Sequence, residues 1–179
     1  MKVLAIKTEK ITPGSIGLFE LLDKHITEFS EGSILSITSK IISICEGSVV
    51  SINKANKDEL VEKEADLYLP RQENKYNIHL TIKNNVLVPT AGIDESNGAG
   101  YYILWPKDPQ KTANEIRKYL ATRFTVKKVG VIITDSKTTP LRWGTSGVAI
   151  AHSGFKALKN YIGTPDIFGK EMQVTKGAI

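Results

Sequence analysis

The stretch VLVPTAGIDESNG at residues 86–98 passes from an apolar run into a turn rich in oxygen-bearing side chains. A second apolar run, YYILW, follows at residues 101–105. Because Asn-Gly between two apolar runs is a strong hairpin signal, Asn97 and Gly98 predict a turn between two strands. Asp, Ser, Asn and Gly are also ordinary turn residues, so a plain hairpin accounts for this stretch when it is taken alone.

A second segment, VGVIITDS at residues 129–136, has the same design. Its apolar part is typical of a buried strand, and it ends in Asp135 and Ser136. Two strands therefore each deliver an aspartate beside a hydroxyl residue, the other aspartate being Asp94. Oxygen ligands suit hard divalent cations, so the two segments together favour one metal site assembled from two strand ends.

The rest of the chain mixes strand and helix patterns without strict alternation. Apolar patterning predicts strands at residues 3–6, 34–38, 49–52, 78–82 and 129–134, and helices at residues 18–29, 56–65 and 109–124. In the strand at 78–82, His79 falls opposite the isoleucine and leucine side chains, so we expect it to be exposed. This order favours an α+β fold with mixed or antiparallel sheets and flanking helices, in a single domain over residues 1–179.

Composition restricts the partners. The net charge of +5 favours a small anionic partner, but Lys and Arg are interspersed with Glu and Asp, so we expect no nucleic-acid partner. No apolar run approaches the roughly 20 residues of a membrane span, and the first residues lack the pattern of a signal peptide. The single cysteine, Cys45, excludes an internal disulfide, and a reducing cytoplasmic location is the simplest inference.

Any nucleotide must be held without a P-loop, because neither that pattern nor G-x-G-x-x-G is present. A loop or short helix starting at Ser39 would place free N–H groups beside Lys40, and both features favour phosphate. The alternative is a plain connection with a solvated lysine. In the polar loop at 138–147, Arg142 could bind phosphate or carboxylate through two hydrogen bonds, or it could stack on Trp143 at the surface.

Seven segments in order resemble the coenzyme F420-0:L-glutamate ligase (gamma-glutamyl ligase) family. They are TSKIIS at 38–43 with Glu46-Gly47, AGIDESN at 91–97, LWPKDP at 104–109, GVIITDS at 130–136, PLRWG at 140–144, AIAHSG at 149–154 and YIGTPDIFG at 161–169. The AGIDESN and ITDS pair is the specific part, and the other segments support it. The resemblance implies a homodimer with a non-P-loop α+β fold.

The resemblance also implies an activity, because family members add L-glutamate to a carboxylate of the deazaflavin precursor F420-0. They use GTP and Mg²⁺ or Mn²⁺ for this reaction, and K⁺ is a further expected ion. It implies metal binding by Asp94, Asp135 and Ser136, and nucleotide binding by Thr12, Pro13, Ser39, Lys40 and Asn97. Lys40 and Arg142 are the expected catalytic cations, which would stabilise charge on the transferring phosphate.

Three departures from the family pattern leave alternatives open. Ile44 stands where many members have a lysine, and Thr138-Thr139 replaces a Gly-Arg pair. The pattern around Cys45 looks more like a bacterial branch of folate-metabolism gamma-glutamate ligases, so a folate is the other candidate acceptor.

Family members continue beyond the position of Ile179, so the resemblance implies that a C-terminal segment is missing. A non-catalytic or degenerate nucleotide- or metal-binding homologue is the alternative to an active ligase.

Overall fold

The computed structural model describes residues 2–139, 141 and 143–178, in which helices and strands follow one another without a repeating order. The helices are α1 (Leu18–His25), α2 (Ser39–Glu46), α3 (Lys57–Glu64) and α4 (Pro109–Phe124). The strands are β1 (Ile34–Thr38), β2 (Val49–Ser51), β3 (Leu67–Leu69), β4 (Leu80–Lys83), β5 (Val86–Pro89), β6 (Tyr101–Ile103), β7 (Gly130–Lys137), β8 (Ser146–Ser153), β9 (Leu158–Asn160) and β10 (Lys176–Ala178). They form small mixed and antiparallel sheets, so the predicted α+β fold class is confirmed.

The sheet that positions the candidate site has the order β1-β7-β8. Strand β1 pairs with β7 in parallel, from Ile34 opposite Gly130 to Thr38 opposite Thr134. Strand β8 pairs with the other side of β7 in antiparallel fashion, with a register shift at Ile133 and Thr134. With a neighbour on each side, β7 is the central strand, which agrees with its continuous apolar sequence.

Helix α4 closes the main core against β7 and β8. Its residues Ala113, Ile116 and Leu120 are fully buried, as their helical spacing predicts. Pro109 occupies the first turn, and the side chain of Asp108 caps the helix by accepting a hydrogen bond from the Lys111 amide at 2.9 Å. Neither α4 nor any other helix in the described part of the chain is long and apolar enough to cross a membrane.

A smaller core lies beside the antiparallel sheet β3-β4-β5 and the strand pair β2-β6. It is built from Val61 of α3, from Ala91 and Ile93 after β5, and from Tyr102 of β6. The side chain of Asn56 caps α3 by accepting hydrogen bonds from the two amides that follow Lys57. This smaller core holds the loop that carries Asp94.

The predicted orientation of the strand around His79 was wrong. His79 is only 3% exposed and Thr81 only 1%, whereas Leu80 and Ile82 are 41% and 36% exposed. The strand alternates as expected, but its buried face is the polar one. Thr81 supplies the reason, because its hydroxyl donates to the Val88 carbonyl and accepts from the Ala91 amide at 2.7 Å. A buried polar side chain is tolerated when its hydrogen bonds are made.

Two predictions near the start of the chain were also wrong: one strand is absent from the described residues, and one helix is shorter than expected. The strand expected at residues 3–6 is absent from the described residues, and Val3 and Leu4 are 78% and 67% exposed. The segment is attached to α1 through an ion pair of 2.6 Å between Glu9 and Lys24. Helix α1 ends at His25, although the apolar pattern continues to Phe29, which packs against the main core outside the helix.

Candidate functional site

The parallel pairing of β1 and β7 brings two chemically active segments to one edge of the sheet. The two strands stay in register until Thr38 lies opposite Thr134. Beyond that point β1 turns directly into α2, whose first residues are Ser39 and Lys40, and β7 continues to Asp135. Thr38 makes no side-chain cap at the start of α2, so the first-turn N–H groups depend on other partners. The predicted short helix at Ser39 is confirmed.

Asp94 is presented by a strained turn. Thr90, Ala91 and Gly92 all have positive φ, at 53°, 52° and 71°. Such a conformation is rare for a β-branched residue such as Thr90, and each strained residue costs on the order of 1–3 kcal/mol. The buried Thr81 braces the turn, because its hydroxyl joins the carbonyl of Val88 to the amide of Ala91.

Each oxygen of the Asp94 carboxylate has its own donors. The Ser96 amide and hydroxyl both donate to Oδ1 at 2.7 Å. The Lys40 ammonium lies 2.6 Å from Oδ2 and also donates to the Ser96 carbonyl at 3.0 Å. Burial tends to raise the pKa of Asp94, but the hydrogen bonds from Lys40 and Ser96 outweigh it, and the pKa lies below its ordinary value. The contacts around Asp94 therefore favour its charged form.

The turn predicted at Asn97 and Gly98 is present and also carries the candidate site, but the two flanking strands do not form a hairpin, since β5 pairs with β4 and β6 pairs with β2. Asp94 and Ile103 exchange backbone hydrogen bonds of 2.9 Å and 2.7 Å across the turn. Asn97 has a φ of 58°, and a Cβ on Gly98 would lie 2.1 Å from the Tyr101 carbonyl oxygen, so position 98 requires glycine. The plain-turn interpretation and the site interpretation therefore describe the same loop.

Asp135 is held by different partners. The indole N–H of Trp105 donates to its Oδ2, and the Ser136 amide donates to Oδ1 at 2.7 Å. Burial raises the pKa of Asp135 above its ordinary value, against the lowering effect of hydrogen bonds from Ser136, Trp105 and Ser39. The negative charge of Asp94 raises the pKa further, and the Trp105 indole that donates to Asp135 lies against Gly92, two residues before Asp94.

This donor set fits a metal ion that is shared with a phosphate ligand. In the described part of the chain, no three His, Cys, Asp or Glu side chains form a group that could enclose a metal. Mg²⁺ is commonly held by only one or two carboxylates, with phosphate oxygens and water completing its coordination. Asp94 and Asp135 supply such a pair, and Lys40 adds a cation at the same place.

The other predicted site residues differ in how they are related to Asp94 and Asp135. Asn97 and Ser136 are exposed neighbours of Asp94 and Asp135 in sequence, and Ser136 reaches Asp135 through its amide. Thr12 and Pro13 form a turn closed by Ser15, and no hydrogen bond among the described residues joins that turn to either carboxylate. Arg142 lies outside the described residues.

Sequence reasoning missed three residues that support the site: Ser96, Thr81 and Trp105. Ser96 had a local signal, since an aspartate two residues earlier commonly accepts the amide hydrogen bond of such a turn. Trp105 had a weaker signal, because a buried indole N–H usually finds an acceptor. Thr81 had no usable signal, because its partners depend on strand pairing with β5.

The chain is similar to known proteins over nearly its whole length. The chain matches the family model described as F420-0:Gamma-glutamyl ligase over residues 5–179. It is 33% identical to the coenzyme F420:L-glutamate ligase of Methanopyrus kandleri, an alignment that covers 93% of this chain and 71% of that protein. The enzymes of the same name from Archaeoglobus fulgidus and Methanocaldococcus jannaschii are 34% and 32% identical. Those two alignments cover 88% and 92% of this chain, and 69% and 71% of the respective relatives.

These names support the F420 branch of the resemblance and give no support to the folate branch. The family match extends over almost the whole chain, and it includes both aspartates and the lysine that meet at the sheet edge. The protein therefore belongs to the F420-0:gamma-glutamyl ligase family, a family of ligases.

Proposed function

We propose that this protein is a GTP- and divalent-metal-dependent ligase that joins L-glutamate through an amide bond to a carboxylate of F420-0. The observation that carries the proposal is the meeting of Asp94, Asp135 and Lys40 at one sheet edge. The names of the relatives support F420-0 as the acceptor. A folate remains the second acceptor to test, because the segment from Ser43 to Gly47 resembles the folate branch.

The chemistry explains why two carboxylates and a cation are needed together. A carboxylate does not condense with an amine in water until it becomes a better electrophile, and transfer of the γ-phosphoryl group to it forms an acyl phosphate. The acceptor and the nucleotide are both anionic, so their approach must be compensated by positive charge. Mg²⁺ or Mn²⁺, held by Asp94 and Asp135, would neutralise charge on the phosphates.

Lys40 and the start of α2 would bind the remaining phosphate charge. The Lys40 ammonium pairs with Asp94, and a metal bound to that carboxylate would free the ammonium to move to a phosphate. The amide groups at Ser39 and Lys40 add the positive end of a helix, which favours anions. We assign Arg142 as the second cation, Ser136 as a further metal ligand, Asn97, Thr12 and Pro13 to the nucleotide, and K⁺ as an accessory ion on the family resemblance alone.

One observation favours a second candidate, a homologue that binds nucleotide and metal without catalysis. Ile44, at the position where many relatives carry a lysine, is only 4% exposed and lies in the apolar side of α2. A lysine there would bring an extra ammonium to the same helix as Lys40. Its replacement by a buried aliphatic side chain removes one cation that phosphate transfer would use.

We also propose that the chain forms a homodimer. The support is the outer face of the β3-β4-β5 sheet, where a group of aliphatic side chains lies at least 36% exposed: Leu67, Leu69, Leu80, Ile82 and Leu87. A continuous apolar patch of this kind usually marks an interaction surface. Sedimentation velocity of the wild-type protein should give the mass of two chains, and a Leu80→Lys variant should shift the equilibrium toward one.

The experiment that tests the function joins binding to turnover. The protein is incubated with GTP, Mg²⁺, L-glutamate and either F420-0 or tetrahydrofolate, and mass spectrometry detects addition of one glutamyl unit. We expect addition to F420-0. Addition only to the folate would assign the protein to the folate branch. Tight binding of GTP with addition to neither acceptor would favour the non-catalytic homologue.

The site assignment has its own test. Asp94→Asn and Asp135→Asn should each reduce the affinity for Mn²⁺–GTP by at least about 100-fold, because each removes one of two metal-binding charges. Asp108→Asn is a matched control, since the Asp108 side chain caps α4 through the Lys111 amide and an asparagine can keep that cap. Circular dichroism checks that each variant is folded. Unchanged Mn²⁺–GTP affinity in both site variants would refute the assignment.

A further inference from the structure

Trp105 touches both halves of the candidate site. It follows β6, its side chain is only 4% exposed, and its indole N–H donates to Oδ2 of Asp135. A buried indole N–H needs an acceptor, and here that acceptor is a carboxylate placed at the end of a different sheet. Trp105 is therefore one of the connections between the turn that carries Asp94 and the strand that carries Asp135.

Gly92 forms the other side of this contact. Its φ is +71°, and a Cβ built on it would lie 2.1 Å from Nε1 of Trp105 and 2.6 Å from Cδ1. The backbone of Gly92 therefore lies directly against the edge of the indole that donates to Asp135. Since Gly92 precedes Asp94 by two residues, the same indole edge contacts the backbone that leads to one carboxylate and hydrogen-bonds the other.

We propose that Trp105 is a positioning residue that fixes Asp94 and Asp135 relative to each other for metal binding, and that Gly92 gives it the space to do so. The inference rests on the proposed metal-dependent function. Two nearby carboxylates repel each other, so their spacing must be imposed by neighbouring groups. The indole holds one Asp135 oxygen in a fixed direction, and its packing against Gly92 fixes the adjacent turn.

The expected effect follows from the behaviour of other metal sites. Loss of a hydrogen-bonding partner behind a metal ligand commonly lowers metal affinity by about 10- to 100-fold. Trp105→Phe keeps most of the buried ring and removes the N–H. Trp143→Phe is the matched control, because Trp143 is the other tryptophan of the chain and its side chain is 97% exposed.

The test measures the affinity for Mn²⁺–GTP by isothermal titration calorimetry, because phosphate oxygens complete the coordination of the proposed metal. We expect Trp143→Phe to bind as the wild type does, and Trp105→Phe to bind about 10- to 100-fold more weakly with its fold unchanged by circular dichroism. Gly92→Ala should show a similar loss. If Trp105→Phe fails to fold, β-(3-benzothienyl)alanine at position 105 replaces the N–H by sulfur and keeps the ring system.

A spectroscopic measurement tests whether the bound Mn²⁺ lies beside Trp105. In Trp143→Phe the remaining tryptophan is Trp105, so bound paramagnetic Mn²⁺ should quench the emission, and Asp135→Asn added to this variant should abolish the quenching. Equal Mn²⁺–GTP affinity in folded Trp105→Phe and Trp143→Phe would overturn the role of Trp105 and leave the metal site standing. Absence of Mn²⁺–GTP binding by Trp143→Phe and by the wild type would overturn the metal site and the positioning role together.

Discussion

Asp135 and Asp94 reach the candidate site by different routes. Asp135 lies on β7, a central strand with β1 and β8 paired to its two sides, and its carboxylate accepts from Trp105. Asp94 follows a turn with three consecutive residues at positive φ, and its carboxylate accepts from Lys40 and Ser96. The first carboxylate is partly buried with a raised pKa, and the second is more open with a lowered pKa.

The difference indicates that two kinds of interaction hold one site. The β7 region is stabilised by apolar burial that is spread over many side chains of the main core. The turn before Asp94 depends on a few polar contacts, each of which satisfies a particular buried group. Substitutions in the first region should lower stability and leave metal affinity intact, whereas substitutions in the second should affect metal affinity more strongly.

The largest loss of stability is expected from Ile116→Ala in α4. Ile116 is fully buried against the sheet that carries Asp135, and such a truncation removes apolar contacts and leaves a cavity. The free energy of unfolding should fall by about 2–5 kcal/mol, as measured by urea denaturation. Mn²⁺ affinity of the fraction that remains folded should be unchanged. A parallel loss of affinity would show that the two regions are not separable.

A smaller loss of stability and a larger loss of affinity are expected from Thr81→Val. Valine has nearly the shape of threonine but leaves the buried amide of Ala91 without its acceptor, which costs about 1–3 kcal/mol. The turn at Thr90 would lose its brace, so the position of Asp94 should become variable. Isothermal titration with Mn²⁺ should therefore show weaker binding than in Ile116→Ala, although the protein is more stable.

Thr81→Ser is the control for this prediction. Serine keeps the hydroxyl that bridges Val88 and Ala91 and loses only a buried methyl group. Its unfolding free energy should fall by about 1 kcal/mol, and its Mn²⁺ affinity should match the wild type. Equal affinity in the Val and Ser variants would show that the hydroxyl bridge does not position Asp94.

The region around β7 and α4 is the part of the molecule that sequence patterns predict well. The bounds of α4 agree with expectation, and β7 is a buried strand as expected, although it continues through Lys137 instead of ending at Thr134. The sequence also predicts that Asp94 and Asp135 come together, since each follows an apolar run. Local patterning therefore suffices where burial on one element decides the structure.

The turn before Asp94 and the strand that braces it are harder to predict, because their contacts join residues far apart in sequence. The alternation around His79 was recognised, but alternation alone does not say which face is buried. The answer depends on Thr81, whose partners belong to the next strand and the following turn. Trp105 similarly meets Asp135, which lies thirty positions further along the chain. Such pairings follow from tertiary packing, which no local period encodes.

The last prediction uses the opposite pKa shifts of the two carboxylates. The folded-state pKa of Asp94 is lowered, so its contribution to stability is present above the unfolded pKa of about 3.9 and is lost as pH falls through the folded value. The folded-state pKa of Asp135 is raised, so its effect has the other sign. Its cost is absent while both states are protonated, and it grows as pH rises from the unfolded pKa to the raised folded value.

Urea denaturation at pH 3.5 and pH 7 should therefore separate the two variants. At pH 7, Asp94→Asn should be less stable than the wild type, by about 1 kcal/mol or less because the side chain is 42% exposed. Asp135→Asn should be slightly more stable than the wild type at pH 7, since it removes a partly buried charge, although its single amide oxygen can accept from Trp105 or from Ser136 and not from both. Both differences should shrink at pH 3.5. A loss of stability in Asp135→Asn at pH 7 would mean that the hydrogen bonds from Trp105 and Ser136 fully compensate the cost of burying the Asp135 charge. In that case a bound cation would not stabilise the protein by neutralising that charge.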